Sequence, residues 1–131
     1  MPRLTKFPNG LSGFFVDSNF SEKTANYTVI ITTDSGKTFI SETNGITFTL
    51  PGIAIGNTFT FVNMANNGVA ELTIDPNAAD GITYAGSSTD GITLINTLAT
   101  SQKGDFVTLA SLNGVVAWQV VAVRGIWAKG A

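Results

Sequence analysis

Apolar and polar residues alternate with a period of two along most of the chain. In "ITFTL", Ile46, Phe48 and Leu50 share one face and Thr47 and Thr49 the other. In "TFTFVNM", Phe59 and Phe61 face away from Thr58 and Thr60. Such alternation predicts half-buried β-strands. "YTVIITT" (27–33) reads as another strand, and "DSG" at Asp34–Gly36 as a tight turn into "KTFI", making a hairpin. Further strands are predicted at "VAELTI", "ITYA", "ITLI", "FVTLA" and "VVAWQVVAV". Between them lie "PGIAIGN", "NMANNG", "DPNAADG", "GSSTDG", "SQKGD" and "LNG", clusters of turn residues. Helical spacing extends over no stretch of ten residues, and only "INTLATSQ" fits a single helical turn.

Eight or nine short strands at intervals of about ten residues predict an all-β protein, with two sheets packed face to face because one long open sheet would leave a face uncovered. Residues 1–13, with Pro2, Pro8 and Gly10, read as an extended N-terminal arm, and residues 14–131 as one sandwich domain. The chain has 131 residues, a length at which folding removes roughly two-thirds of the unfolded chain's surface from water.

Composition narrows the chemistry. Cysteine and histidine are both absent, which removes disulfides, thiolate nucleophiles, the commonest zinc ligand and the commonest general base. Only 12% of residues are charged, against about 25% in ordinary globular domains. A neutral surface lacks the repulsion that keeps monomers apart and so favours assembly. The net charge of −2 and the scattered basic residues argue against nucleic-acid binding. The chain has no apolar run long enough to span a membrane as a helix and no secretory pattern after its first basic residues, so no membrane partner is expected.

Candidate motifs resolve into turns. "DSGKT" ends like a phosphate-binding loop, but Ile31 stands where that loop needs its first glycine. "DPNAADG" fails the spacing of an EF-hand at Ala79 and Gly86, leaving Asp75, Asp80 and Asp90 as a looser possible calcium set. An acid/base pair drawn from these three, Asp105 and Glu71 would need about 5–10 Å across a cleft. The repeated "DGIT" at Asp80 and Asp90, with "NGIT" at Asn44, reads as a turn followed by a strand start. No catalytic residue and no cofactor is assigned. Trp118, in mid-strand, is expected in the core. Trp127 is open to either the core or a subunit contact. Val121 and Val123, opposite Trp118 by simple alternation, give the last long strand apolar surface on both faces and, with Trp127, form the expected interface between subunits.

The order "GITFTLP", "GNTFTFVNMA", "AELTIDPN", "KGDFVTLAS", "AWQVVAV", "RGIWA" resembles small tailed-bacteriophage proteins that decorate or cement the capsid, and related domains at fibre tips. The resemblance covers about residues 43–131 and rests on Leu50-Pro51, Gly104-Asp105, the Trp118 strand and Gly125-Ile126-Trp127. It implies a jelly-roll-like antiparallel β-sandwich, a homotrimer on the virion surface, and the major capsid protein as partner. Arg3, Leu4, Lys6 and Phe7 of the arm are then the candidate capsid contacts. Two alternatives stay open: a trimeric fibre-tip module that binds a host glycan through Gly86–Gly91, and an enzyme acting on cell-wall sugar.

Overall fold

The computed structural model describes residues 19–112 and 117–130. The described residues build eleven strands: β1 (Phe20–Glu22), β2 (Tyr27–Thr28), β3 (Thr38–Ser41), β4 (Ile46–Thr49), β5 (Thr58–Asn63), β6 (Leu72–Asp75), β7 (Gly81–Thr83), β8 (Leu94–Asn96), β9 (Asp105–Ala110), β10 (Ala117–Arg124) and β11 (Trp127–Lys129). One helical turn, α1 (Ile31–Asp34), follows β2, and a short 3₁₀ turn occupies Leu98–Thr100 within the stretch where the sequence allowed one. The strands form a six-stranded sheet, β1-β3-β5-β9-β10-β7, and a five-stranded sheet, β11-β8-β6-β4-β2.

The all-β sandwich is as expected; the pairing within it is not purely antiparallel. From β1 to β6 the chain crosses from one sheet to the other at every strand, so strands stack in parallel: β1 on β3 on β5, and β2 on β4 on β6. This is the winding of a short solenoid, in which consecutive strands face each other across the core. The remaining strands close the molecule. β9 and β10 add antiparallel to β5, β8 and β11 add antiparallel to β6, and β7 lies parallel to the first residues of β10. A jelly roll is built from antiparallel pairs throughout, so these two mixed sheets have a different topology.

The expected hairpin at "DSG" is a crossover. Tyr27–Thr28 and Thr38–Ser41 lie in different sheets, and "ITTD" between them forms α1. The buried Asp34 holds this corner: its carboxylate accepts from the Ile30 N–H at 2.9 Å and the Tyr27 hydroxyl at 2.7 Å, and Lys37 Nζ lies 3.3 Å away. β-branched residues in "VIITT" suit strands by local preference, but the satisfied carboxylate fixes the chain as a turn.

The core follows the alternation. Phe39, Phe48, Phe59, Phe61, Leu72, Ile74, Leu94, Leu109 and Trp118 are fully buried. In-register stacking brings like residues together, with Phe39 and Phe61 centroids 5.6 Å apart at 15° and Phe48 5.0 Å from Phe61. Phe59 packs on Trp118 at 5.5 Å. Outside, the Thr60 and Thr108 hydroxyls hydrogen-bond across β5 and β9 at 2.9 Å.

Candidate interaction surface

β10 changes character halfway along. Ala117 and Trp118 are buried, Gln119 and Val120 half-buried, and every residue from Val121 to Ile126 is exposed. Two features of the ladder cause this. β7 is three residues long and pairs only with Ala117–Gln119, so beyond Gln119 no described strand lies on that side of β10. β7 stops because Tyr84 and Ser87 close a tight turn, each donating its N–H to the other's carbonyl.

A bulge falls between Val120 and Ala122, and it changes the facing of the residues after it. Val123 pairs with Val107, which is buried, so Val123 lies on an inner-face row and not opposite Trp118 as simple alternation predicts. It is nevertheless 40% exposed, and Val121 is 51% exposed. With Ile126 these residues make an apolar group, interrupted by Arg124, beside a strand edge that is unpaired among the described residues, the arrangement that pairs with other chains unless it is blunted.

Trp127 departs from the expected interface. It is 5% exposed, packs in the core, and donates its indole N–H to the Arg124 carbonyl at 3.0 Å. Its bond fixes the Arg124–Trp127 corner where the chain leaves β10 for β11, so it supports the surface without lining it. Trp118 is in the core, as the sequence indicates.

That corner rests on a buried polar cluster which the sequence pattern did not single out. Asn63 closes β5, Asn96 closes β8 and Asp105 opens β9, and none is more than 1% exposed. Asn63 Nδ2 donates to Asn96 Oδ1 at 2.7 Å and to the Ala70 carbonyl at 3.0 Å. Asn96 Nδ2 donates to Asp105 Oδ2 at 3.1 Å and to the Ile126 carbonyl at 3.2 Å. The Gln102 N–H also donates to Asp105 Oδ2, at 2.9 Å. A side chain at Gly125, whose φ is 96°, would overlap the Asp105 carboxylate. Gly104-Asp105 and Gly125-Ile126-Trp127, separate phrases in the sequence, therefore meet at one point. A signal for the cluster existed: Asn63 and Asn96 stand at inward positions of otherwise apolar strands, where an amide must find partners.

The carboxylates considered as ligands do not assemble. Asp80 is buried and its Oδ2 accepts from the Ile53 N–H at 2.9 Å, while Asp75 is half-buried on β6 and Asp90 is exposed. Among the described residues no three His, Cys, Asp or Glu side chains lie where they could share a metal ion. The two "DGIT" copies touch instead, the Gly91 N–H donating to the Asp80 carbonyl at 2.9 Å. Gly91 has the positive φ of a turn, 74°, whereas Gly81 is in β7 and a Cβ there would overlap the Ser88 carbonyl. One phrase thus serves two ends: a turn at Gly91 and a close backbone approach at Gly81.

Three groups are shifted by their surroundings. Burial alone would raise the Asp34 carboxyl, but hydrogen bonds from Ile30, Tyr27 and Lys37 and the charge of Lys37 outweigh it and hold the group below the usual range. Tyr27 is raised by its hydrogen bond to Asp34, with burial and the carboxylate's charge adding. Burial lowers Lys129, whose ammonium donates to the Ile82 carbonyl at the edge of β7. These contacts tie elements together and do not converge on a cleft. Arg3, Leu4, Lys6 and Phe7 lie outside the described residues. The chain matches no known family and no curated protein.

Proposed function

We propose that this is a structural virion protein that binds the outside of a phage capsid as a homotrimer and stabilises the mature shell by clamping adjacent major capsid subunits. The observation that carries the reading is the exposed segment Val121–Ile126, apolar but for Arg124, along a strand edge that is open among the described residues. It sits on a chain with 12% charged residues, so little charge opposes association. The resemblance of residues 43–131 to capsid decoration proteins supports the same reading, and so does the placement of the recognised glycines and Asp105 at the structural corner behind that edge. Arg3, Leu4, Lys6 and Phe7 are the proposed capsid contacts.

The mechanism is mass action. A trimer that binds the expanded shell and not its precursor shifts the equilibrium toward expansion by its differential affinity. Three linked attachments offset the cost of association that a single contact of about 1,600 Å² would meet alone. The test is co-sedimentation of the purified chain with precursor and expanded heads of the phage that encodes it. Retention on expanded heads is expected; passage through both unretained would overturn the reading.

A further inference from the structure

Three rows of neighbouring residues cross the six-stranded sheet without a break from β1 to β10. They are Phe20–Thr38–Thr60–Thr108–Ala122, Ser21–Phe39–Phe61–Val107–Val123 and Glu22–Ile40–Val62–Phe106–Arg124. The middle row faces the core, where Phe39, Phe61 and Val107 are buried; the other two face outward. The last row begins with an acid and ends with a base. Glu22 and Arg124 are both exposed, stand four strand spacings or about 19 Å apart, and neither pairs with another described residue.

Both ends of these rows are open among the described residues. β1 is the outer strand of its sheet, with Phe20 55% exposed. β10 is uncovered beyond Gln119, with Val121 and Val123 exposed. The pairings also fix direction: β1, β3 and β5 are parallel, β9 is antiparallel to β5 and β10 antiparallel to β9, so β10 runs the same way as β1.

We infer that the open edge of β10 takes β1 of a second copy of this chain, extending the sheet head-to-tail from subunit to subunit. A ring about an axis along the strands leaves each residue at its own height. The end of every row then meets the beginning of the same row in the next copy: Ala122 beside Phe20, Val123 beside Ser21, Arg124 beside Glu22. Charge complementarity selects the second copy as occupant, because the one exposed base on the edge meets the one acid on β1. The contact is heterologous: it uses the two unlike edges that the chain carries and makes a ring where its rotation closes, which the trimer reading requires. The incoming strand lies end to end with β7 along β10 and pairs in parallel, as β7 does. This contact rests on the trimer reading above and specifies the surface that forms it.

The chain has no cysteine, so the variant Ser21→Cys, Val123→Cys tests the contact without background. Adjacent strands bring Cα atoms to about 4.8 Å, within disulfide reach, whereas within one copy the two sites are about 19 Å apart. Under oxidation a covalent species of three chains is expected on a non-reducing gel. Charge reversal gives an independent reading: Glu22→Arg and Arg124→Glu each place like charges across the contact and should shift dissociation to at least tenfold higher concentration, and the double variant should restore the trimer. Both sites are exposed, so unchanged urea midpoints at dilution would separate loss of assembly from loss of folding. A wild-type trimer with no cross-link, or a double reversal that dissociates like the single ones, would overturn this contact and leave the trimer standing. A wild-type chain that never assembles would overturn both.

Discussion

The wound half of the molecule, β1 to β6, and the closing half, β7 to β11, reach a buried interior by different means. In the wound half, parallel register repeats, and the interior is an aromatic stack of Tyr27, Phe39, Phe48 and Phe61 with neighbouring centroids 5.0–5.7 Å apart. In the closing half, the chain must insert β9 beside β5 and then leave β10 for β11, and the corner where this happens is held by Asn63, Asn96, Asp105 and the bare Cα of Gly125. Apolar stacking is non-directional and tolerates adjustment, whereas a buried polar cluster is satisfied in one arrangement. The wound half therefore supplies stability and the closing half specifies the path that leaves one edge of β10 unpaired among the described residues.

The largest effect should come from the stack. Phe61 contacts Phe39 and Phe48, and Phe61→Ala removes a fully buried ring at a cost of about 3–5 kcal/mol, read as a fall in the urea midpoint. Phe61→Leu keeps most of the volume and should cost far less. Next, Asp105→Leu leaves a buried Asn96 amide hydrogen and the Gln102 N–H without their acceptor, about 1–3 kcal/mol for the buried donor and less for Gln102, which is exposed and can turn to water. If Asp105→Leu proved as mild as Phe61→Leu, the contrast between the halves would fail. Gly125→Ala tests the same corner from its other side. A positive φ and overlap with Asp105 predict a loss of about 1–3 kcal/mol, and most of the overlap should vanish in the Asp105→Ala background, so the two substitutions should be non-additive in a double-mutant cycle.

The smallest effect belongs to the α1 corner and appears as a pH dependence. The folded carboxyl of Asp34 titrates below its unfolded value, so its contribution is complete above about pH 4 and is lost as pH falls through the folded value. Tyr27 is shifted upward, so its contribution holds below about pH 10 and is lost as pH rises through its folded value. Asp34→Asn should flatten the acid limb of the urea midpoint against pH. Tyr27→Phe should flatten the alkaline limb. Unchanged limbs in both variants would contradict the assignment.

Strand positions were legible where alternation was clean: β4 and β5 place Phe48, Phe59 and Phe61 inward as the pattern requires. Sheet membership was not, because a period of two gives the face a residue takes and says nothing of which strand lies beside it. A turn followed by a strand reads alike whether the next strand folds back or crosses to the other sheet, and so "DSG" resembles a hairpin. The edge strands β1 and β11, of three residues each, are too short to stand out by alternation. On the candidate surface, simple alternation puts Val121 and Val123 on one face, but the bulge moves Val123 to an inner-face row and leaves no mark in composition. Trp127 was ambiguous because a tryptophan near a chain end suits a core and an interface equally; its indole bond to Arg124 places it inside.

A chain with so little charge and a β10 edge uncovered among the described residues should form an assembly. The most direct test is the molar mass of the purified full chain by light scattering across a dilution series. Three times 13.7 kDa is expected at micromolar concentration, falling toward the single chain only on dilution. A mass of 13.7 kDa at every concentration would contradict it.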